Sequence, residues 1–215
     1  GGINWPMSFD TLAPHYRWME RALAGEKLQR CRTEFLPNIR EPKRALLVGE
    51  GNGRFLGAFL ARFPQTEVTC LDASEKMLSA AKRAIKGHSS VKFIHADIFD
   101  WKFPEGNFDL IVTNFFLDCF TADQLQTVIN KLANSAAVEA TWLLSDFCEP
   151  PTGWKKWRAR WILASMYLFF RLATKLPAAN LTQPDPFLSA AGFQLIDRKF
   201  YDWGLLHADL WKRTL

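Results

Sequence analysis

The chain has 215 residues, 48% of them hydrophobic and 23% charged, with a formal net charge of +5. That length suits one well-packed α/β domain rather than two, and the composition excludes wholesale disorder. The Lys and Arg residues are dispersed apart from Lys155-Lys156-Trp157-Arg158-Ala159-Arg160, so no concentrated basic stripe argues for a nucleic-acid partner.

Residues 8–36 read as helical, with Phe9, Leu12, Ala13 and Tyr16 at helical spacing and Ser8 or Asp10 as caps. Pro37 and Pro42 break this stretch, setting a helical cap over 1–42 apart from a domain over 43–215. Leu46-Leu47-Val48 is a short apolar strand that runs into Gly49, Gly51 and Gly53. Glycines there allow a tight turn and a close ligand approach, and the N–H groups opening the Arg54–Phe63 helix favour a polar or anionic ligand group. Val68–Leu71, closed by Asp72, gives a second strand, and Ser74 caps a helix running to about Lys86 with Gly87 as its stop. Val91–Ala96, ended by Asp97, and Phe108–Asn114 give the third and fourth strands. Thr121 opens an amphipathic helix with Leu125, Val128, Ile129 and Leu132 on one stripe, and Ala140–Phe147 is the fifth strand.

After Pro150-Pro151 the alternation is interrupted by an aromatic-rich helix, Trp154–Leu176, read as an insertion at about 152–177. Trp154, Trp157, Trp161, Ser165, Leu168 and Leu172 share one stripe of it. Three readings are open: a helix packed across the sheet, a lid over an acceptor pocket, or a peripheral membrane contact. A transmembrane span is excluded, because the uncharged run Trp161–Phe170 makes roughly 15 Å of helix against a hydrocarbon core of about 30 Å. Asp185–Ala191 reads as a short helix, and Phe193–Tyr201 and Leu205–Trp211 as a hairpin through Trp203-Gly204. Strands alternating with crossover helices predict an α/β doubly wound sheet of about seven strands, mostly parallel, with an antiparallel strand in the C-terminal hairpin and helices on both faces.

The glycine turn, Asp72 with Ala73, Asp97 with Ile98, and the Phe108–Asn114 strand resemble the class I S-adenosylmethionine-dependent methyltransferases, in particular the small-molecule branch around the ubiquinone and menaquinone enzymes. The resemblance covers roughly residues 8 to 212. It implies a Rossmann-like fold and S-adenosylmethionine as cofactor, with S-adenosylhomocysteine as product. By that resemblance Gly49, Glu50, Gly51, Asn52 and Gly53 hold the methionine part, and Asp72, with Ala73 and Met77 beside it, binds the ribose. Asp97 with Ile98 meets the adenine amino group, and Asn114 with Phe115 borders the sulfonium. Two features depart from the family pattern. Leu47 occupies the position of the usual acid before the first glycine, and Glu50 is the carboxylate that can substitute. Asn134-Ser135-Ala136-Ala137 stands where paired glycines are usual.

Methyl transfer from a sulfonium needs alignment and exclusion of water, and a base only for some acceptors. His15 on the leading helix and Asp118 after the fourth strand are the candidate catalytic groups. Tyr16, Asp146 and Trp157 are candidate acceptor contacts. Nine Trp and eighteen Phe suggest an aromatic-lined pocket or contact surface, so the expected acceptor is small and aromatic or lipophilic. His207 reads as structural. Cys31, Cys70, Cys119 and Cys148 lack metal-ligand spacing, no metal is expected, and with no secretory signal read at the start the expected compartment is cytoplasmic. A non-catalytic cofactor-binding scaffold is the alternative. A nicotinamide dehydrogenase fits less well, because the spacing is Gly51-x-Gly53-x-x-x-Gly57.

Overall fold

The computed structural model describes residues 25–85, 90–150, 152–174 and 181–214, with backbone alone over 166–174. Its strands are β1 (Arg44–Val48), β2 (Glu67–Asp72), β3 (Val91–His95), β4 (Phe108–Asn114), β5 (Ala136–Phe147), β6 (Phe193–Tyr201) and β7 (Leu206–Arg213). Its α-helices are α1 (Gly25–Thr33), α2 (Arg54–Arg62), α3 (Glu75–Ala84), α4 (Ala122–Ser135), α5 (Gly153–Thr174) and α6 (Asp185–Ala190). All seven strands form one sheet in the order β3-β2-β1-β4-β5-β7-β6. Only β7 runs against its neighbours, pairing antiparallel with both β5 and β6. The doubly wound arrangement and the C-terminal hairpin are as the sequence predicts.

Both faces of the central strands are buried, which is why they read as unbroken apolar runs rather than alternating ones. Ala45, Leu47, Val68, Cys70, Leu110 and Val112 pack beneath α1, α2 and α5. Leu46, Val48, Leu71 and Ile111 pack on the opposite face against Leu125, Val128, Ile129 and Leu132 of α4 and Leu188 of α6. Leu47 is therefore a core residue.

The fifth strand starts at Ala136, four residues before the expected Ala140, directly where α4 ends. The last carbonyls of the helix are satisfied without a glycine turn: Gly106 N and Asn107 N donate to Asn134 O and Ser135 O at 3.0 and 2.8 Å, and the Arg213 guanidinium donates to the carbonyls of Ala133 and Ala136 at 2.9 and 2.7 Å.

The exposed face of α5 carries Trp154, Trp157 and Trp161, 62%, 65% and 73% exposed, while Ala159 and Leu163 are buried. The helix is turned this way because Arg158 donates to the Asp202 carboxylate at 2.9 Å, tying its first turns to the connection between β6 and β7. Of the open readings, the helix does pack, but through Ala159 and Leu163 between the tryptophans rather than through the tryptophans themselves. No helix among the described residues is long and apolar enough to cross a membrane.

Candidate functional site

In an open sheet whose order reverses between β1 and β4, ligands bind outside the carboxyl ends of those two strands. The turn leaving β1 holds Gly49, Gly51 and Gly53 at φ of +66°, +70° and +82°. Two of these positions are closed to any side chain. A Cβ on Gly49 would lie 2.5 Å from the Phe116 ring, and one on Gly53 would lie 2.8 Å from the Cα of Ala81. The glycines thus seat the turn between the β4 exit and α3, while Asn52 bridges to the helix with its Oδ1 accepting from Arg54 N at 3.4 Å.

Asp72 ends β2 against this turn. One carboxylate oxygen accepts from Ser74 N at 2.8 Å and the other faces Gly51 N at 3.4 Å. Ser74 then caps α3, its hydroxyl accepting from Met77 N at 3.3 Å, with Ala73 between the two anchors and Met77 buried. Asp97 follows β3, turning its chain by accepting from Phe99 N at 2.8 Å, and Ile98 is buried behind it.

Glu50 does work that its sequence position does not advertise. Its Oε1 accepts from Leu56 N at 2.8 Å, so it caps the N-terminus of α2 from inside the glycine turn. Burial is the main cause that pushes its carboxyl up to about 7, against the opposing pull of that hydrogen bond and of Arg32. Arg32, buried on α1, sets its guanidinium 5.2 Å from the Phe115 ring centroid. The sequence reading missed Arg32. The available signal was an arginine on the helix face that also carries Leu28 and Cys31, both buried in the core.

At the ends of β4 and β5 the site turns acidic. Asn114 is buried, and neither its side-chain nitrogen nor its oxygen has a hydrogen-bond partner. Phe115 takes φ of +53°, a conformation that bulky residues adopt only under constraint. Its N–H donates to Ser145 O at 2.7 Å and its ring packs on Phe147. Asp118 and Asp146 are both buried, and Asp118 N donates to Asp146 Oδ2 at 3.1 Å. Desolvation is the main cause that raises both carboxyls above the ordinary range, and the neighbouring Asp118 charge raises Asp146 further.

The structure brings together the glycine turn, Asp72, Asn114, Asp118 and Asp146 at one sheet edge. It places Trp157 on the outer, exposed face of α5. His15 and Tyr16 lie outside the described residues. His207 is engaged structurally: its Nδ1 lies 2.8 Å from Asp209 Oδ1, and Asp209 also receives Arg198 and Trp211.

These residues fit S-adenosylmethionine. A carboxylate stands beside the glycine turn for a ribose diol, and the bare amide of Asn114 is a buried polar group that a ligand would satisfy. Glu50 and Arg32 put an acid and a guanidinium near the turn.

A methyltransferase-domain family model matches residues 45–137, which run from β1 into the start of β5. Demethylmenaquinone methyltransferase of Thermus thermophilus is 29% identical over 148 residues, covering 67% of this chain and 66% of the relative. Trans-aconitate 2-methyltransferase of an Acidovorax species is 41% identical over 73 residues, 34% of this chain and 27% of that one. The chain thus spans less than two thirds of the length of these relatives. Among solved structures, 1,6-didemethyltoxoflavin-N1-methyltransferase of Burkholderia thailandensis, with bound 1,6-didemethyltoxoflavin and S-adenosylhomocysteine, aligns with a TM-score of 0.66 at 16% identity, over 99% of this chain and 92% of its own. An O-methyltransferase family 2 protein of Planctomyces limnophilus in complex with apigenin aligns with a TM-score of 0.69 at 16% identity, over 92% of this chain and 61% of its own.

Proposed function

We propose that the chain is a class I S-adenosylmethionine-dependent methyltransferase that moves the cofactor's methyl group to a small acceptor with an aromatic or lipophilic body. The observation that carries this reading is the unpartnered amide of Asn114. It lies at the reversal of strand order, with the glycine turn on the neighbouring β1 and the Asp118–Asp146 pair reaching to the neighbouring β5.

Bound at the turn, the cofactor supplies a methyl group made electrophilic by its sulfonium. Asp72 orients the ribose, Asp97 the adenine, and Glu50 and Arg32 the two charged ends of the methionine moiety. Asn114 and Phe115 form the wall at the sulfonium, and the strained Phe115 backbone aims that wall. Phe115, Phe147 and Leu117 are buried around the acids and exclude water from them. The acid pair, raised in basicity by burial, accepts the proton of an acceptor hydroxyl or amine. Acceptor contact is assigned to Asp146 rather than Trp157, because Trp157 faces outward.

The test is calorimetry of the full chain with S-adenosylmethionine, S-adenosylhomocysteine and NAD(H), followed by a screen of phenols and quinols. The expected result is micromolar-range binding of both adenosyl ligands and saturable turnover on an apolar acceptor. Binding of NAD(H) with neither adenosyl ligand bound would overturn the reading.

A further inference from the structure

Four of the nine tryptophans are displayed together on one surface, where core packing has no use for them. Trp154, Trp157 and Trp161 stand outward along α5 at intervals of three and four residues. Trp203, 59% exposed, joins them from the connection between β6 and β7, its ring centroid 6.0 Å from that of Trp154. Trp203 and Asp202 both take positive φ, +57° and +47°, so the chain holds this tryptophan out in a conformation that ordinary residues avoid. Two ion pairs hold the connection there, Lys27 at 2.7 Å and Arg158 at 2.9 Å from the Asp202 carboxylate.

The rim of the surface is cationic. Over its 22 residues α5 contains no Asp or Glu, and its first turns carry Lys155, Lys156, Arg158 and Arg160. Lys27 and Arg158 also lie over the Trp203 ring, at 5.8 and 4.9 Å, and Arg160 over Trp157 at 5.9 Å. Among the described residues, Asp202 pairs with Lys27 and Arg158, and Glu149 with Arg160. The helix itself thus brings cations and no acid to this rim.

We propose that the Trp154–Trp161 face of α5, together with Trp203, docks the protein on an anionic phospholipid surface. Indole rings have an apolar body and a polar N–H, which suits the boundary between headgroups and acyl chains. Tryptophans with Lys and Arg on a helix lacking acids make an interfacial helix, and a modest positive charge adds attraction to anionic lipid. Separate rings along a convex helix can each enter a fluid headgroup layer, without the shape match that a protein partner requires. A second copy of this chain would bring like charges together at Lys155 and Lys156. A nucleic acid needs a dense row of phosphate-binding cations, whereas Lys27, Arg158 and Arg160 are held by carboxylates.

The surface lies at the functional end of the sheet. β6 runs parallel to β1, so the Trp203 connection emerges at the same edge as the glycine turn, and Cys148 N, just beyond β5, donates to Leu205 O at 2.8 Å. Docking would therefore turn the edge that carries the acids toward the bilayer. The docking itself stands independently of the proposed methyl transfer, whose lipophilic acceptor it would bring within reach.

The experiment is flotation of the full chain with vesicles of phosphatidylcholine alone and of phosphatidylcholine mixed with phosphatidylglycerol. The wild type should float with the anionic vesicles. The pair Lys155→Glu with Lys156→Glu should weaken partition by roughly tenfold or more, since each cation near such a surface contributes appreciably. The pair Trp154→Ala with Trp161→Ala should weaken it as much. Calorimetry with S-adenosylhomocysteine should read the same in both variants, which separates lost docking from lost fold or lost cofactor binding. Absence of wild-type flotation, equal partition onto the two vesicle types, or partition untouched by both variant pairs would overturn the proposal. So would a dimer in sedimentation velocity that the tryptophan variants dissolve, or retention of an oligonucleotide in preference to the vesicles.

Discussion

The backbone N–H of Asp118 donates to Oδ2 of Asp146 at 3.1 Å, joining the segment after β4 to the end of β5 and placing two buried acids in one site. Two carboxyls this close cannot both ionise readily, and burial penalises the charge further.

Asp146→Asn and Asp118→Asn should each lower acceptor turnover by about 10²–10⁴-fold if the pair is the base, with S-adenosylhomocysteine binding unchanged. In the wild type the acid limb of kcat/KM against pH should lie above the ordinary carboxylate value of about 4. Stability should move oppositely. Raised carboxyls bind protons more tightly in the folded state, so their contribution is full at low pH and is lost as pH rises through the raised values. Either Asn variant should therefore melt higher than wild type near neutral pH and lose that advantage in acid. A thermal-shift series read beside the rate profile checks both arms.

Asp72→Ala should weaken the cofactor by roughly ten- to a hundredfold, because hydrogen bonds to a charged group contribute about 1.5–3 kcal/mol. Calorimetry measures it directly. Unchanged affinity would place the ribose elsewhere.

Glu50→Gln separates two roles of one side chain. The amide oxygen can still accept from Leu56 N, so the α2 cap survives, while the charge facing the cofactor's ammonium is gone. Because the carboxyl is raised to about 7, its stabilising contribution is present at acid pH and lost as pH rises from about 4.5 through about 7. The variant should melt higher than wild type at pH above 7, by at least the roughly 2–4 °C that ~1 kcal/mol gives in a domain this size. It should also bind S-adenosylmethionine more weakly than Glu67→Gln, a control at the start of β2. Weaker binding without the stability gain would mean that Glu50 is ionised at no cost in the folded protein.

The strands of the site were legible because each apolar run ends in a glycine or a carboxylate: Val48 before Gly49, Leu71 before Asp72, Ala96 before Asp97. Where such punctuation was absent the reading slipped. Asn134-Ser135-Ala136-Ala137 has no turn residue, and the last carbonyls of the helix there are met by Gly106, Asn107 and Arg213, all distant in sequence. Asp118 and Asp146 were each visible as strand-end acids. Their pairing depends on β4 lying beside β5, which periodicity does not reveal. The tryptophan stripe was visible as a stripe, but its outward direction is set by Arg158 meeting Asp202, a tertiary contact. Arg32 looked like one more surface cation, because a helix segment with Arg30 beside it does not say which of the two points inward.

Gly53 and Gly57 make a matched pair for the last prediction. Gly53 has φ of +82° and a Cβ there would meet the Ala81 backbone at 2.8 Å, so Gly53→Ala combines conformational strain with a clash against atoms that cannot swing aside. The strain alone is about 1–2 kcal/mol, a loss of several degrees in melting temperature, and displacing α3 from the turn should cost cofactor affinity as well. Gly57 sits inside α2 with nothing within 4 Å of its absent side chain. Gly57→Ala should instead stabilise by about 0.5–1 kcal/mol, through better helix propensity and a less flexible unfolded chain. Chemical denaturation of the two single variants reads the signs. If both destabilise alike, the helix has a tolerance limit that the open space at Gly57 does not show; if neither does, the turn is not held against Ala81.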